Sequence, residues 1–569
     1  MRTPSLQPGH RGPNRCHLLL LAASLLALTV ACSAPQAAAP SSSPANANQS
    51  AAPKVNRVVL AVEPPATESN EPRHHSGTTS WQLDPTFEYL VGLDGQTGKY
   101  IPQLATEWSA AADGKSIQFK LRPGVQFHRG FGEVTADDVK AEWTELIKPD
   151  SLAGASSFFK QWVTDIESAD GGRTAVFRLK GPTAEFIPSV TQERAGMQVI
   201  SSAFLKKNGV PTMQGEPYPG TAPYQFKERS QGSYIRFERV PYKHWRATPD
   251  FPEVELRFTK EASTRLAGLL AGEVQMADLP QDLQGQAQQR GAYKVIEARA
   301  PVARLFVKFY GAYYRDIKDL SKGYVYPDSP MMDTRVRKAL AKAVNRDELN
   351  KAFFGGKAKT MYLNNFNPNW PGWNPDWEKR SQAEYGYDVA AAKQLLADAG
   401  FGPGKPLATT MLVLQVAGLS AGGDIAEAIA AYWRNAGVSV EITPMDTNTS
   451  GTLTRALKLN NHASITATSA NIWTGTSTYA SGTKESRSGG IGIIDADNAL
   501  AEAQGTLDEK KQDEYLRKAG NAWYDGHVDV PLFWLPAGVV ANTTVIGDYV
   551  FPGNVTGLWS HLENIKAAK

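Results

Sequence analysis

Cysteine is almost absent from this sequence: its 569 residues include two, Cys16 and Cys32, and both precede residue 33. The rest of the chain has no thiol. Disulfides, cysteine-ligated metals and a cysteine nucleophile are therefore excluded from any folded body that it forms. Long apolar runs are also missing after residue 31, so the sequence predicts no membrane-spanning helix in that body.

A strong excess of one charge is missing as well. The chain has 60 basic and 57 acidic residues. Its first 31 residues contain three arginines, Arg2, Arg11 and Arg15, and no acid, which accounts for the difference. Without this segment the two signs balance, so the composition gives no support for a nucleic-acid partner.

The first 55 residues read as a leader and a tether. An apolar run from Leu18 to Ala31 follows the arginines, and it is short for a membrane span but typical of a signal peptide. It ends in Leu28-Thr29-Val30-Ala31-Cys32, which resembles a bacterial lipobox. We predict a lipoprotein signal peptide over residues 1–31, lipidation of Cys32, and a disordered Ser/Ala/Pro-rich tether over residues 32–55. An ordinary secretory peptide with an incidental cysteine is the alternative.

The most informative string runs from Phe119 to Lys140. Alternating apolar residues lead into a Pro-Gly turn, Thr135 stands where a helix N-cap is expected, and Asp137 and Asp138 place negative charge in the first helical turn. The string predicts a strand, a turn, a short strand and a capped helix. As one ordered string it closely resembles the signature of bacterial extracellular solute-binding protein family 5, the peptide- and nickel-type substrate-binding lipoproteins of ABC importers.

Three further strings resemble the same family: Ile101–Trp108, Gly220–Phe226 and Asp333–Leu340. The resemblance implies an α/β fold of the two-lobe periplasmic-binding-protein type (type II), with an extra subdomain in lobe one and a ligand cleft between the lobes. It also implies the following division: lobe I over 56–302 with the subdomain over about 92–218, lobe II over 303–535, and a C-terminal return to lobe I over 536–569.

Apolar patterns in the second lobe predict several elements directly. Leu305–Phe309 reads as a strand, and a helix capped by Asp333 or Thr334 follows. A helix over Ile425–Asn435 leads into a strand over Val438–Ile442. This strand–helix alternation predicts parallel crossovers in an α/β lobe.

Enzymatic and metal-binding functions receive little support. Gly418-Leu419-Ser420-Ala421-Gly422 matches the pattern of a nucleophile elbow, but no histidine or acid can be assigned to Ser420. A secreted hydrolase remains the alternative of another class. His74 and His75 are adjacent, and on a strand they would point to opposite faces and could not chelate one ion together. We therefore predict a binding protein with no cofactor and no metal site.

The cargo is the open question. Peptide-binding members of the family carry an aspartate late in lobe two that holds the peptide's ammonium group. The corresponding stretch here, Ser464–Tyr479, has no acid. An unpaired buried ammonium is costly. We therefore expect a neutral polar or amphipathic solute, such as an oligosaccharide or a modified peptide, with an oligopeptide or a nickel chelate as the alternative.

Aromatic and amide side chains are the candidate ligand contacts, because flat apolar faces beside groups that donate and accept suit such a solute. The Ser/Thr-rich stretch could equally be a solvent loop, and the Trp-rich loop could fold back as a satellite core. The candidate residues are Trp81, Tyr89, Trp370, Trp373, Asn471, Trp473 and Tyr479. The resemblance further implies a permease and ATPase partner, a monomer, and a lipid-anchored location in the periplasm or on the outer face of the cell membrane.

Overall fold

The computed structural model describes residues 55–569 with gaps at 66, 76–78, 195, 300–302, 317–318, 415–420, 470–471, 474–489, 536 and 552–558. The predicted leader, Cys32 and nearly all of the tether lie outside these residues. Within the described residues, none of the helices combines the length and the apolar character that crossing a membrane requires.

The described residues form a mixed α/β structure in which runs of strands are separated by helices. The strands are β1 (Arg57–Val62), β2 (Val91–Leu93), β3 (Tyr100–Pro102), β4 (Ala105–Ala110), β5 (Ser116–Leu121), β6 (Val163–Ala169), β7 (Thr174–Leu179), β8 (Tyr224–Ser230), β9 (Tyr234–Arg239), β10 (Glu253–Phe258), β11 (Met276–Ala277), β12 (Tyr293–Glu297), β13 (Ala303–Tyr310), β14 (Lys359–Thr360), β15 (Ala408–Leu414), β16 (Ser439–Met445), β17 (His462–Ser469), β18 (Asp529–Leu535), β19 (Gly538–Asn542), β20 (Ile546–Tyr549) and β21 (Ile565–Ala567).

The helices flank these strands. They are α1 (Ala136–Leu146), α2 (Ser156–Trp162), α3 (Phe186–Ser189), α4 (Ser202–Asn208), α5 (Ala262–Leu270), α6 (Gln281–Gln288), α7 (Thr334–Lys342), α8 (Arg346–Phe354), α9 (Asp376–Tyr385), α10 (Val389–Asp398), α11 (Gly422–Asn435), α12 (Thr447–Arg455), α13 (Ile494–Gln504) and α14 (Glu509–Asp525).

Lobe I, as we name it, is built on a seven-stranded sheet with the order β12-β19-β11-β1-β10-β9-β8. Strand β1 lies parallel to both β10 and β11. Its run of apolar residues is continuous because both faces are covered: Val58, Leu60 and Val62 pack into one core, and Val59 and Ala61 pack into another.

The subdomain, a name we give to the antiparallel sheet β4-β5-β7-β6 with α1 and α2, carries the signature string. The predicted cap is confirmed. The Asp138 carboxylate accepts hydrogen bonds from the backbone N–H of Thr135 at 2.8 Å and from its hydroxyl at 3.0 Å. This reciprocal cap starts α1 at Ala136.

Lobe II is built on a six-stranded sheet with the order β14-β18-β13-β17-β15-β16. Strands β15 and β16 are parallel and are joined through α11, which confirms the predicted crossover. Strand β13 is antiparallel to both of its neighbours, β17 and β18, so the sheet is mixed.

Helix α7 has the predicted cap at Asp333, and its two arginines are bonded within lobe II. The Asp333 carboxylate caps the helix by accepting from the Arg335 N–H at 2.8 Å, and it also pairs with the Arg335 side chain. Arg337 is buried and donates to backbone carbonyls, including that of Gly526 at 2.6 Å. Both arginine side chains are therefore bonded to groups within lobe II.

The adjacent histidines His74 and His75 lie at the end of a short 3-10 helix, Pro72–His74, which starts with a proline, and not on a strand. His74 lies 3.4 Å from both Glu71 and Asp150. His75 is fully buried, and its Nε2 is bonded to the Ser69 carbonyl at 3.0 Å. The two rings thus have separate partners.

The chain passes between the two large sheets twice. It leaves β12 for β13 through residues 298–302 and returns from β18 to β19 through residues 536–537. The described residues that flank these segments are paired, Glu297 with Gly538 and Ala303 with Leu535. Between these pairs the Ala298 N–H donates to the Ala537 carbonyl at 2.8 Å. We call the paired residues at the two ends of the crossing segments the crossing ribbon.

Candidate functional site

The parallel strands point to the edge at which each lobe would meet a ligand. Open sheets with parallel strands bind ligands beyond the carboxyl ends of those strands. In lobe I these ends belong to β1, β10 and β11, and in lobe II to β15, β16 and β17. Residues 415–420 and 474–489, which follow β15 and β17, lie outside the described residues.

A buried arginine, Arg265, holds together the segments that follow β10 and β11 at the carboxyl edge of the lobe I sheet. Arg265 donates through Nη1 to the carbonyls of Thr259 and Lys260, both at 2.8 Å, and through Nε to the carbonyl of Asp278 at 2.7 Å. These carbonyls lie just past the ends of β10 and β11. Burial raises the pKa of the Asp278 carboxyl, and the positive charge of Arg265 partly offsets that shift. Arg265 therefore holds two edge segments in one arrangement.

The two lobe I candidates are both well packed. Trp81 is buried and contacts Phe258, the last residue of β10, edge to face at a centroid distance of 6.1 Å. Tyr89 is also buried, and its hydroxyl donates to the Asp84 carboxylate at 2.7 Å. Gln198 donates to the same oxygen at 2.6 Å. Trp81 therefore lies at the carboxyl edge of the sheet. The Tyr89 hydroxyl is hydrogen-bonded to another residue of lobe I, Asp84.

In lobe II an apolar group lies beside the crossing ribbon. We call it the crossing-side aromatic cluster, and it consists of Phe306, Met361, Trp370 and Trp534. Trp370 and Trp534 meet edge to face at 5.6 Å. Phe306 lies near the start of β13, and Trp534 is the next-to-last residue of β18. Trp370 is half-buried, whereas the other three side chains are buried.

A polar network holds the Trp370 loop against both ribbon strands. Arg304 on β13 donates to the Asn364 amide oxygen at 2.9 Å, and the Asn364 amide N–H donates to the Asp529 carboxylate on β18 at 2.6 Å. All three side chains are buried. The Arg304 guanidinium also lies 5.4 Å from the centre of the Phe306 ring. The loop that carries Trp370 is therefore held in a fixed position relative to the crossing ribbon.

The remaining aromatic candidates of lobe II lie elsewhere. Trp373 is half-buried and packs edge to face on the fully buried Trp377 at 5.5 Å. Trp473 is 4% exposed and belongs to the main lobe II core. Asn471 and Tyr479 lie outside the described residues. Of the predicted lobe II residues, Trp370 alone among those described contacts the crossing-side aromatic cluster.

Phe306, Met361 and Trp534 were missed from the sequence. They come from three distant segments, and no local spacing marks them as neighbours. The only available signal was the position of Trp534 at the end of a continuous apolar run, Val530–Leu535, shortly before the chain was expected to leave lobe II.

The histidines that the structure describes serve structural roles. His128 Nε2 bonds the Ala222 carbonyl at 2.8 Å, and His244 Nε2 bonds the Thr221 carbonyl at 2.7 Å. Across the described residues, no group of three or more His, Cys, Asp or Glu side chains could hold a metal ion. Ser420, the candidate nucleophile, lies outside the described part of the chain.

Comparison with known proteins connects this architecture to one family. A model of "Bacterial extracellular solute-binding proteins, family 5 Middle" matches residues 99–490. The dipeptide-binding protein of Escherichia coli (strain K12) is 26% identical over 389 residues, which cover 64% of this chain and 68% of that protein.

Two solved structures share the fold. HbpA2 from Haemophilus parasuis superposes with a TM-score of 0.73 at 20% identity, over 90% of this chain and 100% of the other. NikA from Brucella suis, solved with Fe(III)-EDTA, gives a TM-score of 0.71 at 21% identity, over 90% of this chain and 99% of the other. The predicted two-lobe periplasmic-binding-protein fold is thereby confirmed.

Proposed function

The chain belongs to family 5 of the bacterial extracellular solute-binding proteins, and from that premise we propose that it captures a neutral polar or amphipathic solute between its lobes. Members of this family are substrate-binding receptors of ABC importers, and that role applies to this chain. Capture follows from geometry: a solute that contacts both lobes stabilises the closed arrangement more than the open one. The solute class and the anchoring are the parts that we infer.

The observation that carries the solute class is the missing acid between Ser464 and Tyr479. A free peptide brings an ammonium group that needs a counter-charge when it is buried. The crossing-side aromatic cluster supports the same inference, since flat apolar faces with nearby polar groups suit sugars and amphipathic molecules. The competing ligands are a dipeptide, for which the Escherichia coli relative is named, and a metal chelate, of the kind that NikA holds.

We further propose a monomer that is lipid-anchored through Cys32 and that delivers its solute to a permease with an ATPase. The lipobox-like string Leu28–Cys32 supports the anchor. The proposed role is binding without turnover. The relatives that match are binding proteins, and a hydrolase would depend on Ser420 alone.

A binding screen tests the solute class. Purified full-length protein would be titrated with pools of oligosaccharides, peptides with a blocked N-terminus, free di- and tripeptides, and nickel chelates, with tryptophan fluorescence and calorimetry as readouts. Saturable binding confined to the first two pools is the expected result. Micromolar binding of unmodified dipeptides would overturn the solute class but leave the receptor role intact. Product release that Ser420→Ala abolishes would overturn the binding role itself.

A pair of tryptophan variants tests the binding surface, with the solute identified by that screen as the probe. Trp370→Ala is expected to weaken binding about tenfold, or about 1.4 kcal/mol, because it removes a half-exposed face of the crossing-side aromatic cluster. Trp473→Ala is the matched control. Its side chain fills the lobe II core, so we expect it to lower the free energy of unfolding by about 3–5 kcal/mol. An unchanged dissociation constant for Trp370→Ala would show that the solute binds at another surface.

A further inference from the structure

The subdomain touches lobe II at a place separate from the crossing ribbon. The backbone N–H of Ala184, just after β7, donates to the carbonyl of Gln504 at the end of α13, with an N···O distance of 3.0 Å. The contact is also apolar on both sides. The Ala184 side chain packs with the lobe II core, and Leu507 of lobe II packs against the subdomain core.

The residues on each side of this contact are firmly packed, Ala184 within the subdomain and Gln504 and Leu507 within lobe II. Ala184 is buried, as is Thr183 before it, and Phe186 two residues later lies at the centre of the aromatic core of the subdomain. The Phe186 ring lies 5.0–6.3 Å from four other phenylalanine rings, those of Phe119, Phe158, Phe159 and Phe177. On the other side, Gln504 and Leu507 lie in the turn between α13 and α14, which pack together. The contact therefore depends on the position of the subdomain relative to lobe II.

The turn between α13 and α14 thus meets the subdomain in two ways, through the Gln504 carbonyl and through the Leu507 side chain. None of the three residues belongs to the segments that cross between β12 and β13 or between β18 and β19.

We propose that Ala184, Gln504 and Leu507 form a latch that closes when the lobes close and slows their reopening. This inference rests on the proposed function, because it assumes capture by lobe closure. To open, the protein must break one backbone hydrogen bond and separate two apolar side chains, in addition to losing its contacts with the solute. The latch shifts the population towards the closed arrangement without touching the solute.

A charged substitution tests the latch without any solute. Leu507→Asp in the full-length protein places a carboxylate against the phenylalanine-rich core of the subdomain. We expect the closed fraction, measured by small-angle X-ray scattering of the ligand-free protein, to fall at least about fivefold, since the apolar contact is lost and the carboxylate resists burial against that core. Leu320→Asp is the matched control, because Leu320 also belongs to lobe II but is 40% exposed. Unchanged scattering for Leu507→Asp would overturn the latch.

A cross-link gives a second test that does not depend on how well Leu507→Asp folds. A backbone hydrogen bond places the two Cα atoms within reach of a disulfide, for which their separation is usually about 4.4–6.8 Å. In a chain with Cys16→Ser and Cys32→Ser, the pair Ala184→Cys and Gln504→Cys has no competing thiol. Oxidation should remove the open population, and reduction should restore it.

The cross-linked chain also distinguishes a latch, which opens when the lobes open, from a pivot, at which the residues stay in contact throughout the motion. If the oxidised protein still samples the open arrangement by scattering, Ala184 and Gln504 stay in contact throughout the motion, and the latch is overturned. Neither test uses a solute, so a failed solute screen leaves both results interpretable.

Discussion

Arg246→Met is expected to lower the free energy of unfolding by about 3–5 kcal/mol at neutral pH, because it leaves two buried carboxylates without a counter-charge. Arg246 donates to Glu88 at 2.8 Å and also bonds Glu563. The side chains of Glu88 and Glu563 are 0% and 3% exposed, whereas that of Arg246 is 22% exposed. The arginine therefore compensates two charges that water barely reaches.

This pairing also ties the end of the chain to lobe I. Glu88 precedes β2, and its second carboxylate oxygen accepts from Thr221 at 3.0 Å. Glu563 lies just before β21, and His561 Nδ1 is 3.0 Å from its carboxylate. Loss of Arg246 should therefore loosen the C-terminal segment first, which hydrogen exchange at residues 562–567 would detect.

The pH dependence of this destabilisation has a defined sign. Burial alone would raise the pKa of Glu563, but Arg246 and His561 hold it well below its usual value. A depressed carboxyl pKa contributes stability that is present above the unfolded pKa of about 4.5 and is lost as pH falls. The unfolded chains of wild type and Arg246→Met titrate alike, so the difference in stability should be largest near neutral pH. It should shrink as falling pH protonates the uncompensated carboxylates of the variant while Glu563 of the wild type stays ionised.

Two comparisons isolate the buried charges from other effects of the substitution. Adding Glu563→Gln to Arg246→Met removes one uncompensated carboxylate and should recover about 1–2 kcal/mol. Arg178→Met breaks an ion pair whose two side chains are each 47% exposed, and it should cost about 1 kcal/mol or less. Equal losses for Arg178→Met and Arg246→Met in urea unfolding at pH 7 would contradict the argument.

Local patterns predicted much of the fold because their causes are local. The capping box at Thr135 needs a partner three residues away, and the crossover from β15 to β16 follows from the apolar periodicity of α11. The family resemblance supplied the two-lobe architecture, which composition alone could not. The proline at position 72, which favours the start of a helical turn, was a local signal for the 3-10 helix that ends at His74.

The candidate site was less predictable because its neighbours are distant in sequence. Trp370 stood out as one of several indoles in a proline-rich loop, but its partner Trp534 is far along the chain. Trp473 was selected for its polar surroundings in the sequence. Its ring lies in the lobe II core, a position set by tertiary packing. The Arg246 pairing joins residues from three separate regions, and no spacing rule reveals such a network.

Buried histidines should make the protein sensitive to mild acid. Burial lowers the pKa of His75, His128 and His527 to about 4. Each ring is therefore neutral in the folded protein at pH 5, whereas in the unfolded chain it gains a proton below about pH 6.5. The unfolded state binds more protons between these values, so stability falls as pH falls from about 6.5 to 4, by about 2 kcal/mol per histidine at pH 5.

His128→Gln tests this sensitivity at one position. The hydrogen bond of His128 to the Ala222 carbonyl raises its pKa, but burial outweighs it, and the nearby charge of Arg129 lowers the pKa further. The variant cannot take up a proton there. Between pH 7 and pH 5 it should therefore lose about 2 kcal/mol less stability than wild type, whatever its stability at pH 7. Urea unfolding at both pH values measures this difference.

Gln192→Leu is the control, because it alters a buried neutral side chain and should change stability by the same amount at both pH values. Buried acids act in the opposite direction. Burial raises the pKa values of Asp84 and Glu142, so those groups stabilise the folded state as pH falls. Their contribution is common to wild type and His128→Gln and cancels in the comparison. Parallel losses of stability in His128→Gln and wild type would show that His128 takes up its proton while still folded.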